Sequence, residues 1–228
     1  PRQNPKQTKN NYQVPDFDFS APEGAAEAIK NPNNAVRFLA HRRLAQLGEA
    51  AVPALLKLWQ DENPRIRARA LWLLTSIPQV GEQTLAEALN DKNPDIRVTA
   101  IRAARRDQRD MLPIIRDRLG DPSPQVRREC LLALRHHPDP EAADLWASLA
   151  LTHDGNDRWY LEALGIAADG QWDRCFEAWL EKVGDDWRMP AGKDIIWRSR
   201  AAAALPLLAE LIRTTSPEEH PRYFRAFD

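Results

Sequence analysis

Cysteine is nearly missing from this chain: Cys130 and Cys175 are the whole complement. Two thiols outside any CxxC or CxxCH pattern exclude a disulfide framework, a cysteine metal knuckle and covalent haem attachment. Glycine is scarce as well, nine residues against eighteen prolines, and no Gly-rich phosphate loop, Ser-centred elbow or HExxH occurs. No apolar stretch approaches the ~20 residues that cross a bilayer, and the start at Pro1 carries no signal-peptide pattern. Runs of β-branched residues are few, so strands are not signalled. The net charge of −1 exerts no overall pull on nucleic acid or membrane.

What remains is ordinary for a chain that folds: 43% hydrophobic and 29% charged residues, rich in Ala, Leu and Arg. That mixture, punctuated by proline, points to helices joined by tight turns. The mean charge hides a polarity. Asn31 to Arg135 carries eighteen Lys and Arg against twelve Asp and Glu, whereas His136 to Asp228 carries ten against seventeen.

A period of thirty residues organises the chain. DENPRIRARALWLL, DKNPDIRVTAIRAA and DPSPQVRRECLLAL begin at Asp61, Asp91 and Asp121, and NPNNAVRFLAHRRL begins one period earlier at Asn31. Pro64, Pro94 and Pro124 share a column, as do Val36, Ile66, Ile96 and Val126, then Arg37, Arg67, Arg97 and Arg127. Ala40, Ala70, Ala100 and Cys130 follow, with Leu44, Leu74, Ala104 and Leu134 four residues on. Apolar residues at such spacings mark the buried stripe of a helix. A preceding helix repeats too, with Leu55, Leu85, Ile115 and Leu145 in one column and Trp59, Leu89, Leu119 and Leu149 in another.

Each unit therefore reads as helix, turn, helix. Asp-x-Asn-Pro offers capping oxygens before a proline-opened second helix, Pro53 and Pro113 open first helices, and Gly48 and Gly81 fall where second helices are expected to end. After Leu149 the register loosens. DGNDRWYLEALGIAADG reads as a second helix, WDRCFEAWLEKVG as the next first helix, and DDWRMPAGKD as an insertion. IIWRSRAAAALPLLAELI then restores the spacing at Arg198, Ala201 and Leu205.

The expectation is an all-α superhelix, a solenoid of about six hairpins over residues 23–213. Polar residues 1–22 would form a linker or extended arm, and residues 214–228 a tail that looks cut short. A chain opening at Pro1 is expected to be a piece of something longer.

The pattern D-x-x-P-x-[VI]-R-x-x-A resembles the HEAT repeat in its short, phycobilisome-lyase-like form, over roughly Asn31 to Arg213. The resemblance implies a ladder of hydrogen bonds between neighbouring repeats, formed by an Asp and an Arg six positions apart: Asp61 with Arg67, Asp91 with Arg97, Asp121 with Arg127. Asn31 departs from the acid, as an atypical terminal repeat would. NPNNAVRFLAHRRLAQLG, DGNDRWYLEALGIAADGQWD and RYFRAFD further resemble the HEAT region of large exported planctomycete proteins that join a sorbosone-dehydrogenase-like β-propeller to a c-type haem domain. That resemblance implies a periplasmic or exported connecting solenoid; neither propeller nor haem motif lies within this sequence.

Several residues could carry chemistry. Arg102, Arg105, Arg106 and Arg109 form a basic run that Arg42, Arg43, Arg128 and Arg135 could extend into a positive groove, although Asp107, Asp110 and Asp117 interrupt it. Trp146, Trp159, Trp172, Trp179, Trp187 and Trp197 crowd the acidic half; Trp187 and Trp197 flank the insertion and are the candidates for exposure. His136, His137 and His153 raise a metal or a base, but adjacent histidines on a helix diverge by ~100° and suit a helix end better. Asp154, Asn156 and Asp157 begin like a calcium loop without its later ligands, and an Asx turn explains them. No catalytic residue, metal ligand or cofactor site is identified.

The reading is a non-catalytic scaffold that binds protein, either other domains of its parent or a separate partner, with nucleic acid not expected. The alternative is a HEAT-like DNA glycosylase using the basic half and the tryptophans, although the tryptophans lie mainly in the acidic half. A phycobilin lyase is suggested by the repeat's family name alone.

Overall fold

The computed structural model describes residues 16–227, so most of the expected N-terminal arm, residues 1–15, lies outside the described residues. Contacts divide the chain into two compact units, one running to Ile77 and one from Pro78.

The first unit holds α1 (Pro22–Ala28), α2 (Asn34–Leu47), a 3-10 turn at Gly48–Ala51, α3 (Val52–Trp59) and α4 (Pro64–Leu74). The helices pack as two hairpins, α1 against α2 and α3 against α4, with α1 touching α3 and α2 touching α4. Ala40, Leu44, Leu55, Ala70 and Leu74 are wholly buried in their core. Arg43 Nε donates to the carbonyl of Phe19 at 2.7 Å, tying the residues before α1 onto α2.

The second unit continues with α5 (Val80–Leu89), α6 (Pro94–Arg106), α7 (Met111–Arg116), α8 (Pro124–Leu134), α9 (Glu141–Ala150), α10 (Arg158–Ala167), α11 (Trp172–Val183), α12 (Pro190–Arg198), α13 (Ala204–Thr214) and α14 (His220–Phe224). First helices α7, α9 and α11 pack in order, as do second helices α6, α8, α10 and α12. Among the described residues there is no strand.

The Asp-x-Asn-Pro turns have a definite chemistry. Asp61 Oδ1 accepts from the Asn63 amide at 2.9 Å, and Asn63 Oδ1 in turn accepts from the Arg65 amide at 3.0 Å. Asp91 and Asn93 repeat both bonds before α6. The acid makes an Asx turn, the Asn caps the helix, and the proline occupies the first position, where its missing N–H removes no helical bond. Asn31 substitutes for the acid ahead of Asn33 and makes the same turn at 2.8 Å.

Two expectations are corrected. Gly81 does not end a helix: α4 stops at Leu74, and Gly81 lies buried in the first turn of α5. The segment after the insertion is not one helix through Arg198, Ala201 and Leu205. α12 ends at Arg198 and α13 starts at Ala204. Pro206 explains the break, because within a continuous helix its ring would collide with the carbonyl of Ala202 and it could not donate the required bond. The gap is held by Ser199 Oγ and Asp173 Oδ1, which accept from the amides of Ala201 and Ala202 at 3.0 and 3.1 Å. Beyond it, the segment read as a tail carries α14, whose Tyr223 is buried.

Candidate protein-interaction surface

The arginine column first shows where charge is spent on the fold. Arg97 Nε and Nη2 grip the two carboxylate oxygens of Asp121, in the next repeat, at 2.8 and 2.7 Å, while Nη1 donates to the carbonyl of Asp91 in its own repeat. The expected pairing of Asp91 with Arg97 is thus corrected: the own-repeat acid offers its backbone oxygen, and the carboxylate comes from 24 residues on. The Asp91 side chain accepts from the Asn93 amide in its own Asx turn, as Asp121 does from that of Ser123. Arg127 likewise donates to the carbonyl of Asp121, but where an acid would stand one repeat later it meets Thr152 Oγ1 at 3.2 Å and lies 5.6 Å over the Tyr160 ring. Arg67 donates to the carbonyl of Trp59 and stacks 4.6 Å over its ring, and Asp61 serves its turn.

Burial pushes the Asp121 carboxyl up, but the Arg97 hydrogen bonds, the Ser123 amide and the charges of Arg97 and Arg118 outweigh it and hold its pKa below the ordinary value. Asp194 behaves alike. Burial raises it, and His153 Nε2 at 3.1 Å together with Arg222 brings it below the usual carboxylate range. Trp197 Nε1 donates to the Arg222 carbonyl at 2.8 Å, so α14 is latched onto α12.

The basic run from Arg102 to Arg109, at the end of α6 and just beyond it, is neutralised. Arg102 Nε donates to Glu129 at 2.8 Å and Arg105 lies 3.7 Å from the same carboxylate, which is itself buried. Arg106 forks onto Asp107, and Arg109 pairs with Glu82. Arg128 lies 3.9 Å from Asp157 and Arg135 2.6 Å from Asp169. These six arginines therefore form no positive groove.

The tryptophans sort differently from expectation. Trp187, a candidate for exposure, is buried beneath the Arg188 guanidinium at 4.3 Å, and Trp197 is half-buried. Trp146 and Trp179 fill the core, Trp146 donating to the Leu164 carbonyl at 3.0 Å. The exposed one is Trp159, with 70% of its surface open. Helical phase carried the signal: α10 buries Tyr160, Leu164 and Ala167, which leaves Trp159, Glu162 and Ile166 on the other face. There an open groove of about 580 Å³ runs across α6, α8 and α10, with Val98, Leu132, Trp159 and Ile166 as its apolar lining and Arg102 and Arg128 beside them.

Repeated hairpins, proline-opened second helices and an arginine bonded from one repeat to the next describe a repeat protein, and the family model for HEAT repeats matches residues 22–84 and 82–165. The chain belongs to the HEAT repeats. No curated protein matches it. HEAT repeats typically mediate protein–protein contacts or scaffolding, and their fold is generally non-catalytic.

Potential nucleophiles and ligands are engaged in packing. Burial pushes the thiols of Cys130 and Cys175 up to about 12, far from reactive thiolates. Asp154 Oδ1 accepts from the amides of Asn156 and Asp157, and Asp157 Oδ1 from that of Tyr160, a turn followed by a cap. Among the described residues no group of three or more His, Cys, Asp or Glu side chains is placed to hold a metal ion. No helix among them is long and apolar enough to cross a membrane.

Proposed function

We propose that this HEAT-repeat chain is a non-catalytic scaffold that holds a protein partner on the second-helix face of its second unit. The carrying observation is Trp159, 70% exposed beside Ile166 at 41%, on a face whose arginines are paired with acids. An exposed aromatic ringed by satisfied charges is the composition of an interface hot spot. The finer reading follows the planctomycete-type resemblance: the partner is another domain of an exported dehydrogenase- or cytochrome-like parent. Co-purification with separately expressed propeller and haem domains of such a parent tests it. Retention that Trp159→Ala weakens by roughly tenfold supports the reading, and retention of no protein by either form rejects it.

The DNA-binding alternative needs unpaired cations near the exposed tryptophan, where this unit offers ion pairs. Duplex DNA binding that falls steeply with salt would favour it.

A further inference from the structure

The second helices of the first unit have a different electrostatic design. α2 and α4 together carry Arg37, Arg42, Arg43, Arg65, Arg67 and Arg69 and not one Asp or Glu. Among the described residues no carboxylate pairs with Arg37, Arg42, Arg43, Arg65 or Arg69. Asp61, which stands to Arg37 as Asp121 stands to Arg97, makes no bond to it. Arg37 Nη1 instead donates to the carbonyls of Asn31 and Pro32 at 2.9 and 2.5 Å, and Arg69 Nη1 to that of Ile29 at 2.7 Å. Carbonyl acceptors fix a guanidinium in place and leave its full positive charge. The charges sense each other: burial, then the proximity of Arg37 and Arg65, depresses the pKa of Arg69.

Beside these cations lies an apolar hollow of about 450 Å³, lined by Ile29, Phe38, Ala68 and Trp72 together with Arg37 and Arg69. Phe38 is 60% exposed, and the Arg42 guanidinium sits 5.7 Å from its ring centre. Positive charge held in place around an aromatic floor asks for an occupant with both an apolar anchor and flanking negative charge.

We propose that this hollow on α2 and α4 docks an acidic peptide segment of a partner protein, a large apolar side chain resting on Phe38 while carboxylates on either side meet Arg37, Arg65 and Arg69. A phosphate backbone would need cations continuing along a strand's length. In this unit the described arginines without a carboxylate are confined to the two helices α2 and α4. The proposal rests on the protein-interaction reading above and places a second contact in the other unit.

Fluorescence anisotropy with a labelled peptide of about a dozen residues, Asp- and Glu-rich around a central Leu-Phe pair, tests it on the full chain. Two comparators are the same peptide with amides in place of the carboxylates and an oligothymidylate of equal length. The expected result is saturable binding of the acidic peptide that weakens with salt and drops roughly tenfold in Phe38→Ala and in the Arg42→Glu/Arg65→Glu double variant. All three side chains are exposed, so unchanged helical circular dichroism separates lost binding from lost folding. Equal binding of the amide peptide, tighter binding of the oligothymidylate, variants that bind like the parent, or no binding at low salt each overturns the proposal. Trp159→Ala is expected to leave peptide affinity unchanged. Loss of binding there would move the peptide to the second unit and end this assignment, while failure of the peptide alone leaves the Trp159 face standing.

Discussion

Arg97 and Asp121 share two hydrogen bonds with the guanidinium 11% and the carboxylate 4% exposed. Removing one partner strands a charge where water cannot reach it, so Arg97→Ala is expected to lower unfolding stability by about 3–5 kcal/mol in urea titrations. The fork is also why Arg97→Lys should recover only part of the loss, since an ammonium cannot meet both oxygens. Because Asp121 and Asp194 hold folded pKa values below the ordinary one, both contribute stability that is present above about pH 3.9 and lost as pH falls through their lowered values. The urea midpoint should therefore fall on the acid side of that pH, and Asp121→Asn should flatten this limb. Cys130 and Cys175, with thiols raised to about 12, should ignore a disulfide reagent at pH 8 in the native protein and react once it is unfolded. At this scale the arginine column was legible in the sequence and its partners were not. Six residues of separation looked like a pair, yet Arg97 takes only the backbone oxygen of Asp91, and it is stacking that brings the Asp121 carboxylate of the next repeat within its reach.

Helices α2, α4 and α6 each start from an Asn whose side chain accepts from the second amide, whereas Ser123 before α8 makes no such bond. Ser123→Asn should restore the common cap and stabilise the protein by about 0.5 kcal/mol, measurable as a raised thermal midpoint. The first four repeats show how much of an element can be read from pattern. Prolines and Asx residues at fixed offsets act through local backbone chemistry, and the helix starts at Pro64, Pro94 and Pro124 follow directly. The failures share a cause. Around Gly81 and Ala201 the apolar spacing continues while the backbone turns, because a helical period in the sequence does not specify whether one helix or two supplies it. Gly165 illustrates what neighbours decide: a Cβ there would run into the Arg198 guanidinium, which lies across α10 with Nε 3.4 Å from Glu162.

Across the second unit each repeat contacts its neighbours, so stability should be passed along nearest-neighbour interfaces. Arg97→Ala is accordingly expected to lose amide-exchange protection first in α6 and α8 and least in α12 and α13; uniform loss along the unit would show global coupling instead. The candidate surfaces belong to this same scale. By itself the sequence determined the helical class, the thirty-residue register and the buried stripe of each second helix, since propensity, capping and period all act within a few residues. It left open which arginines are neutralised and which tryptophan faces water, because both depend on groups brought together from other repeats. Tertiary packing placed Trp187 under Arg188, left Trp159 open beside matched charges, and gave Arg37 and Arg69 carbonyls for partners beside the hollow that Phe38 lines. Charge pairing and exposure are properties of surfaces, and a surface exists only after the chain has folded.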